Sequence, residues 1–506
     1  MDSLLPSLIA LITLIFIFTY NYLTQKYNYW QKKGVPCVKK CLPFFGNMGK
    51  VIIMQEAFTT LCENFYKKAS NQSMFGFYQF LTPSLIIRDP ELVKKILITN
   101  FSSFENNQII LHPELDPLLS KNPFFSQKTT WKQNRNALTS GFSSSKLKLM
   151  FSLITKVSEK FNEYLKNKLK NKDNFMEFDL RKLFSMYTGE IVSTVGMGVE
   201  GNCFQENSKT FGKIVSSIFE NSAIMGGFAQ ILIFYLPNVA KFFKLGIVSK
   251  KMNYFIHDSV REIIERTKNE DISRNDFLHI ILENEKDELN LNNLSSYMLS
   301  FILDAHETTN TTLNFLAFQL AMHRDVQEKV REEINSLSVK INDNWNYENL
   351  SELIYLEQTI FESMRLNSAL GTLMKICTSK IKLEGFDGVN CQLEPGNIII
   401  LSIHGLHKDP SYWHEPEKFD PDRFSETNKK DRHKFVFLPF GEGPRMCLGR
   451  RLAMMSIKMG MIGVLKNFSL ELSSKTRFPL KQDPTSFFTA VDSSLWVILR
   501  PLKKQF

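Results

Sequence analysis

Phe440-Gly441-Glu442-Gly443-Pro444-Arg445-Met446-Cys447-Leu448-Gly449 is the stretch on which the reading of this chain turns. Two glycines and a proline make a tight, irregular loop, and an apolar helical pattern opens just after it, from Leu452 to Asn467. A cysteine just ahead of a helix meets the positive end of the helix dipole and its free N–H groups, which favour the thiolate. Arg445, two residues before the cysteine, suits an acid group on a bound ligand. Gly449, two residues after it, lets the backbone come close to a flat one. A lone cysteine in a glycine-rich loop is usually buried and inert; this set of neighbours argues for a thiolate with a chemical task.

The 506 residues would allow two or three domains, but nothing in the middle reads as a linker, so one large domain is expected. The 43 phenylalanines suit a protein that houses a flat apolar ligand or a greasy substrate, and codon drift in an AT-rich genome explains them equally well. The net charge of +10 is scattered, and no zinc-finger, RRM or homeodomain pattern occurs. Nucleic acid is therefore the least favoured partner, behind an anionic membrane surface or an acidic protein. The seven cysteines are odd in number and form no C-x-x-C pair. That excludes a disulfide framework or a zinc site and points to a reducing compartment.

Leu4 to Leu23 is almost wholly apolar, close to the ~20 residues a helix needs to cross a bilayer. Lys26, Lys32 and Lys33 follow it and Asp2 precedes it, which puts the body of the protein on the cytoplasmic side. A cleaved signal peptide would want a basic start and a small-residue cleavage site; the start is acidic, and Tyr20 to Gln25 is a poor site. Gly34-Val35-Pro36 and Leu42-Pro43-Phe44-Phe45-Gly46 mark a stiff turn. The division expected is an anchor over residues 1–25, a basic, proline- and glycine-rich hinge over 26–48, and a globular domain over 49–506. The apolar stretch Ile224 to Val239 suits either a dip into the lipid interface or a buried helix with its loop.

Helical periodicity dominates. Leu291 to Ile334 reads as one very long helix or two broken near His323, and Asn349 to Leu366 as another. Strand-like runs occur at Phe75–Phe80, Leu85–Arg88, Asn397–Ile403 and Leu495–Arg500. Residues 167–174 and 267–275 are polar enough for surface loops. The fold class expected is mainly α with a small β portion. Gly196-Met197-Gly198-Val199-Glu200-Gly201 fits G-x-G-x-x-G, but no βαβ unit surrounds it. His404 and His407 lack a nearby carboxylate for a metal site.

Phe-x-x-Gly-x-Arg-x-Cys-x-Gly is the haem-binding signature of the cytochrome P450 family, and the chain resembles that family at every defined position of it, from Phe440 to Gly449. The resemblance implies a P450 fold and Cys447 as the iron ligand, with Arg445 on a propionate of haem b. A thiolate ligand favours O–O cleavage. Trp131 and Arg135 match a Trp-x-x-x-Arg element for a propionate, and Lys375 stands where the family usually has an arginine for the other one. Lysine gives a single-point contact there. Glu362, Arg365 and Arg423 are implied to lock together as a buried structural triad. In Asp304-Ala305-His306-Glu307-Thr308, Glu307 and Thr308 match the family's acid–alcohol pair for proton delivery, while Asp304 and Ala305 replace the usual small pair.

The same resemblance implies a monooxygenase that inserts one oxygen atom into a lipophilic small molecule. Pocket-lining stretches are implied at Phe101–Pro123, Phe219–Phe243, Phe301–Ala305, Ala369–Met374 and Phe487–Ala490. Because the chain has no flavin or nicotinamide module, electrons are implied to come from an NADPH-dependent flavoprotein reductase, with a small b-type cytochrome as a second donor. The reductase would dock on basic residues such as Lys132. Tyr29 to Pro36 and Pro43 to Met48 resemble insect microsomal members of a detoxifying clan, which implies the endoplasmic reticulum membrane. A haem-thiolate isomerase or dehydratase, and a non-catalytic membrane haem binder, are the alternatives; Glu307 and Thr308 argue against the first.

Overall fold

In the computed structural model, residues 4–170, 175–205, 224–270, 275–284 and 290–502 are described. Parts of three expectations lie outside them: residues 219–223 of a pocket stretch, and 171–174 and 271–274 of the polar loops. The chain folds as two units, residues 1–109 with 372–406, and residues 110–371 with 407–506.

The first unit is built on β-branched and aromatic runs. β1 (Met74–Gln79) and β2 (Thr82–Ile87) form an antiparallel hairpin, paired from Met74↔Ile87 to Gln79↔Thr82. β2 runs parallel to β8 (Ile398–Ser402), β8 pairs antiparallel with β5 (Thr372–Ile376), and β3 (Asn106–Asn107) closes the far edge. The continuous apolar run of β8 is that of a strand covered on both faces, and every residue in it is buried. β6 (Ile381–Glu384) and β7 (Asn390–Leu393) form a separate hairpin, and α2 (Phe58–Lys68) packs on the sheet. Preceding them, α1 (Leu4–Lys26) carries an exposed apolar stretch over Pro6–Lys26, with mean hydropathy 1.8, long enough to cross a membrane. The segment after it is tied to β1. Trp30 is fully buried and its indole donates to the Phe77 carbonyl at 3.1 Å. The Tyr78 hydroxyl donates to the Tyr27 carbonyl at 2.7 Å.

The second unit is mainly helical. It contains α3 (Lys128–Thr139), α4 (Ser144–Lys170), α5 (Leu180–Ile191), α6 (Ile224–Tyr235), α7 (Lys250–Glu270), α8 (Phe277–Asn284), α9 (Leu291–Met322), α10 (Arg324–Lys340), α11 (Ile354–Leu366) and α12 (Arg450–Asn467). A small sheet joins β4 (Met176–Asp179), β10 (Trp496–Pro501) and β9 (Phe468–Leu472) in that order. α9 is capped by the Asn290 side chain, which accepts from the Asn293 N–H. It packs against α5, α7, α11 and α12. The expected break falls at His323, whose N–H donates to the Gln319 carbonyl before α10 begins. Residues 167–170 and 267–270 form the polar last turns of α4 and α7 instead of loops. Gly198, in the weak glycine motif, sits just past a helical turn with φ +65° and follows no strand.

Candidate active site

Gly441 and Gly443, with φ of 67° and 78°, turn the chain into a short loop that the Cys447 N–H closes by donating to the Phe440 carbonyl at 2.8 Å. Side chains rarely adopt that left-handed conformation, so glycine is required there. Gly449 caps α12, and its carbonyl accepts from the Ala453 N–H at 2.8 Å. A Cβ added at Gly449 would meet nothing nearer than Phe142, 3.8 Å away, so open space lies beside this stretch of backbone.

The Arg445 guanidinium donates to the carbonyls of Pro123, at 2.7 Å, and Ser126, at 3.0 Å, and lies over the Trp131 ring at 4.3 Å. Arg135, one turn along α3 from Trp131, donates to the Met446 carbonyl at 2.7 Å. The fold therefore brings Trp131, Arg135, Arg445, Phe440, Gly449 and Cys447 together. Lys375 belongs to the first unit, where it is buried on β5 and donates to the Asn107 side chain at 2.8 Å.

Cys447 is accessible, yet protein encloses it, so its sulfur faces an interior space. The middle of α9 faces that space too. Asp304 is exposed there and Ala305 and Thr308 are half-buried, whereas His306, Glu307, Thr309 and Asn310, on the remaining faces, are buried. Both oxygens of Asp304 accept from the Asn122 amide, at 3.0 and 3.2 Å. Burial pushes the Asp304 carboxyl up to about 6. Burial also pushes the Cys447 thiol up to about 11, and Asp304 adds to it, while the Gly449 N–H acts in the opposite direction. The helix end does favour the thiolate, as its sequence suggests, but desolvation outweighs it in the protein alone. A bound cation is what would hold the sulfur deprotonated.

Glu307 and Thr308 point to different surroundings. The Thr308 hydroxyl donates to the Asp304 carbonyl one turn back, at 2.5 Å. Buried Glu307 pairs with half-exposed Arg181 at 3.2 Å. Burial pushes the Glu307 carboxyl up, but the His306, Arg181 and Asn310 contacts together hold it below the ordinary carboxylate range. Of the stretch Phe301–Ala305, Phe301 is core: it is buried and stacks on Phe277 at 4.7 Å. Further along the chain, Phe487 packs on Phe124 at 6.1 Å and on Phe234 at 5.2 Å. The Thr489 N–H donates to the Ala369 carbonyl at 2.9 Å.

The triad closes as its sequence implied. Arg365 grips Glu362 through two bonds of 2.7 and 2.8 Å, with both side chains fully buried, and Arg423 stands 3.3 Å from the same carboxylate. Arg365 also donates to the His407 carbonyl at 2.9 Å. His407 serves structure as well, its Nε2 accepting from the Leu438 N–H at 2.8 Å. Among the described residues no group of His, Cys, Asp and Glu is arranged to hold a metal ion.

One sulfur in an enclosed space, open room beside the following glycine and two arginines fixed at its rim fit a flat, anionic, iron-bearing group. The cytochrome P450 family model matches residues 36–495. The chain belongs to the cytochrome P450 family. This P450 is 29% identical to the probable cytochrome P450 6a13 of Drosophila melanogaster, over 98% of this chain and 99% of that relative. It is 28% identical to cytochrome P450 9e2 of Blattella germanica, over 98% of each chain. With the probable cytochrome P450 28d1 of Drosophila melanogaster it shares 30% identity over 96% of each. It is a haem-binding monooxygenase with the mainly α fold and small β portion of its family.

Asn122 and Asp304 fall in the implied pocket stretches Phe101–Pro123 and Phe301–Ala305, but their pairing joins positions 182 apart, and no local pattern in the sequence signals it.

Proposed function

We propose that this P450 inserts one oxygen atom into a lipophilic small molecule, xenobiotic or endogenous, with Cys447 as the thiolate that would hold the iron of haem b. The observation that carries this reading is the single sulfur held at the enclosed space by the Phe440–Gly449 loop. When bound, haem iron supplies dioxygen activation. Arg445, Trp131 and Arg135 hold the haem carboxylates, Arg445 being braced by two carbonyls and an aromatic face before any ligand arrives. The role of Lys375 on the other carboxylate rests on sequence resemblance alone.

Thr308 positions a proton at its hydroxyl on the face of α9 that meets the space. Glu307, paired with the half-exposed Arg181, is the carboxylate next to Thr308 that would take up protons for delivery. Electrons come from an NADPH-dependent flavoprotein reductase, with a small b-type cytochrome as a second donor; Lys132 is exposed on α3, where such a partner could dock. The exposed apolar α1 anchors the protein in the endoplasmic reticulum membrane with the catalytic domain, residues 49–506, on the cytoplasmic side.

The test is the absorption spectrum of the reduced, carbon-monoxide-bound protein. A red-shifted thiolate Soret band, lost in Cys447→Ala, is expected. A band typical of histidine-ligated haem, or one unchanged in the variant, would overturn the assignment. Product formation that needs both added reductase and NADPH separates oxygen insertion from a peroxide rearrangement.

A further inference from the structure

Asp304 puts a carboxylate on the face of α9 that meets the enclosed space beside Cys447. It is accessible to the enclosed space that Cys447 faces, and among the described residues only the neutral amide of Asn122 donates to its side chain. That amide is itself fixed: Asn122 is fully buried, and its oxygen accepts from the Phe124 N–H at 2.6 Å. Among the described residues no lysine, arginine or histidine pairs with Asp304. One neutral donor does not compensate a carboxylate removed from bulk water, and a buried ion is stable only when an opposite charge joins it. Two residues beyond Asn122, Phe124 packs on Phe487, which packs in turn on Phe234. Aromatic faces of this kind attract organic cations as well as neutral hydrocarbon.

We propose that Asp304 determines specificity by selecting lipophilic substrates that carry a positive charge, such as tertiary or quaternary amines, whose cationic centre pairs with its carboxylate. The proposal rests on the monooxygenase reading for what becomes of the substrate, but the selection is made at binding and needs no turnover. The rest of the molecule is held by apolar contact.

Equilibrium dialysis of the full-length, haem-loaded protein tests it with two probes of one shape. Benzyltrimethylammonium neither coordinates iron nor carries a titratable proton, and neopentylbenzene is its uncharged isostere with carbon in place of nitrogen. Asp304→Asn and Asp304→Ala should each weaken the cation about tenfold or more and change the isostere by less than about twofold, as loss of a charge partner requires. Equal changes for both probes, no change for either, or no binding of the cation to the wild-type protein would overturn the proposal. The reduced carbon-monoxide spectrum of each sample keeps the two readings apart. An intact thiolate band without charge selectivity removes only the role of Asp304, whereas a missing band in the wild type removes the haem-thiolate assignment.

Discussion

The Glu362 carboxylate takes two bonds from Arg365, one from the Asp420 N–H and the approach of Arg423, and both Glu362 and Arg365 are out of contact with water. Such a pair adds little net stability over an apolar replacement, but breaking it strands a buried charge. Glu362→Ala should therefore cost about 3–5 kcal/mol, read as loss of the thiolate band at lower urea than in the wild type. A cost under about 1 kcal/mol, the range of exposed pairs, would show that the triad is not buried in solution. The triad could be read from the sequence because Glu-x-x-Arg places both groups on one helix face and the family pattern supplies the third. The chemistry of Cys447 was only half legible. Its position before a helix predicts a favoured thiolate, and its enclosure, which no local pattern reveals, reverses the balance. Asp304 illustrates the same limit, since what it faces depends on how α9 is turned against the segment around Asn122.

Long apolar periodicity made the helices legible. The Leu291–Ile334 pattern with its break resolves into α9 and α10, and the Leu452–Asn467 pattern into α12 with one added turn fraction at Arg450. The four expected strands appear within a residue or a few of their expected ends, as β1, β2, β8 and β10. The remaining strands were missed because they are two to five residues long, too short for a period-2 pattern to emerge. β1 also shows how an element can depend on one small residue. A Cβ at Gly76 would lie 2.5 Å from Cγ of the buried Trp30 ring, and that ring is what ties the post-anchor segment to the strand. Gly76→Ala should lower stability by about 1–3 kcal/mol, the range for overpacking a filled core, and thermal unfolding would detect it. An unchanged midpoint would mean that Trp30 can move aside freely.

At the scale of the whole molecule, each of the two units buries a core of its own, and within the first unit the apolar α1 stays exposed. The contacts that tie the following segment down begin at Tyr27, beyond the end of α1 at Lys26. Removing residues 1–25 should accordingly move the protein from the membrane pellet to the supernatant and leave the reduced carbon-monoxide spectrum intact. Retention in the pellet would point to a second membrane contact, for which the exposed Phe228, Phe242 and Phe243 are the first places to look. α9, finally, divides its residues sharply. Asp304, Ala305 and Thr308 border open space, while His306, Glu307, Thr309 and Asn310 are locked into the core. Substitutions at Asp304 and Ala305 leave core packing untouched and change what the cavity admits, whereas Thr308 and Glu307 carry the proposed proton delivery and the remaining buried positions cost stability first. Heritable variation is thus cheap and consequential at two positions of a single helix, set in a framework that resists drift.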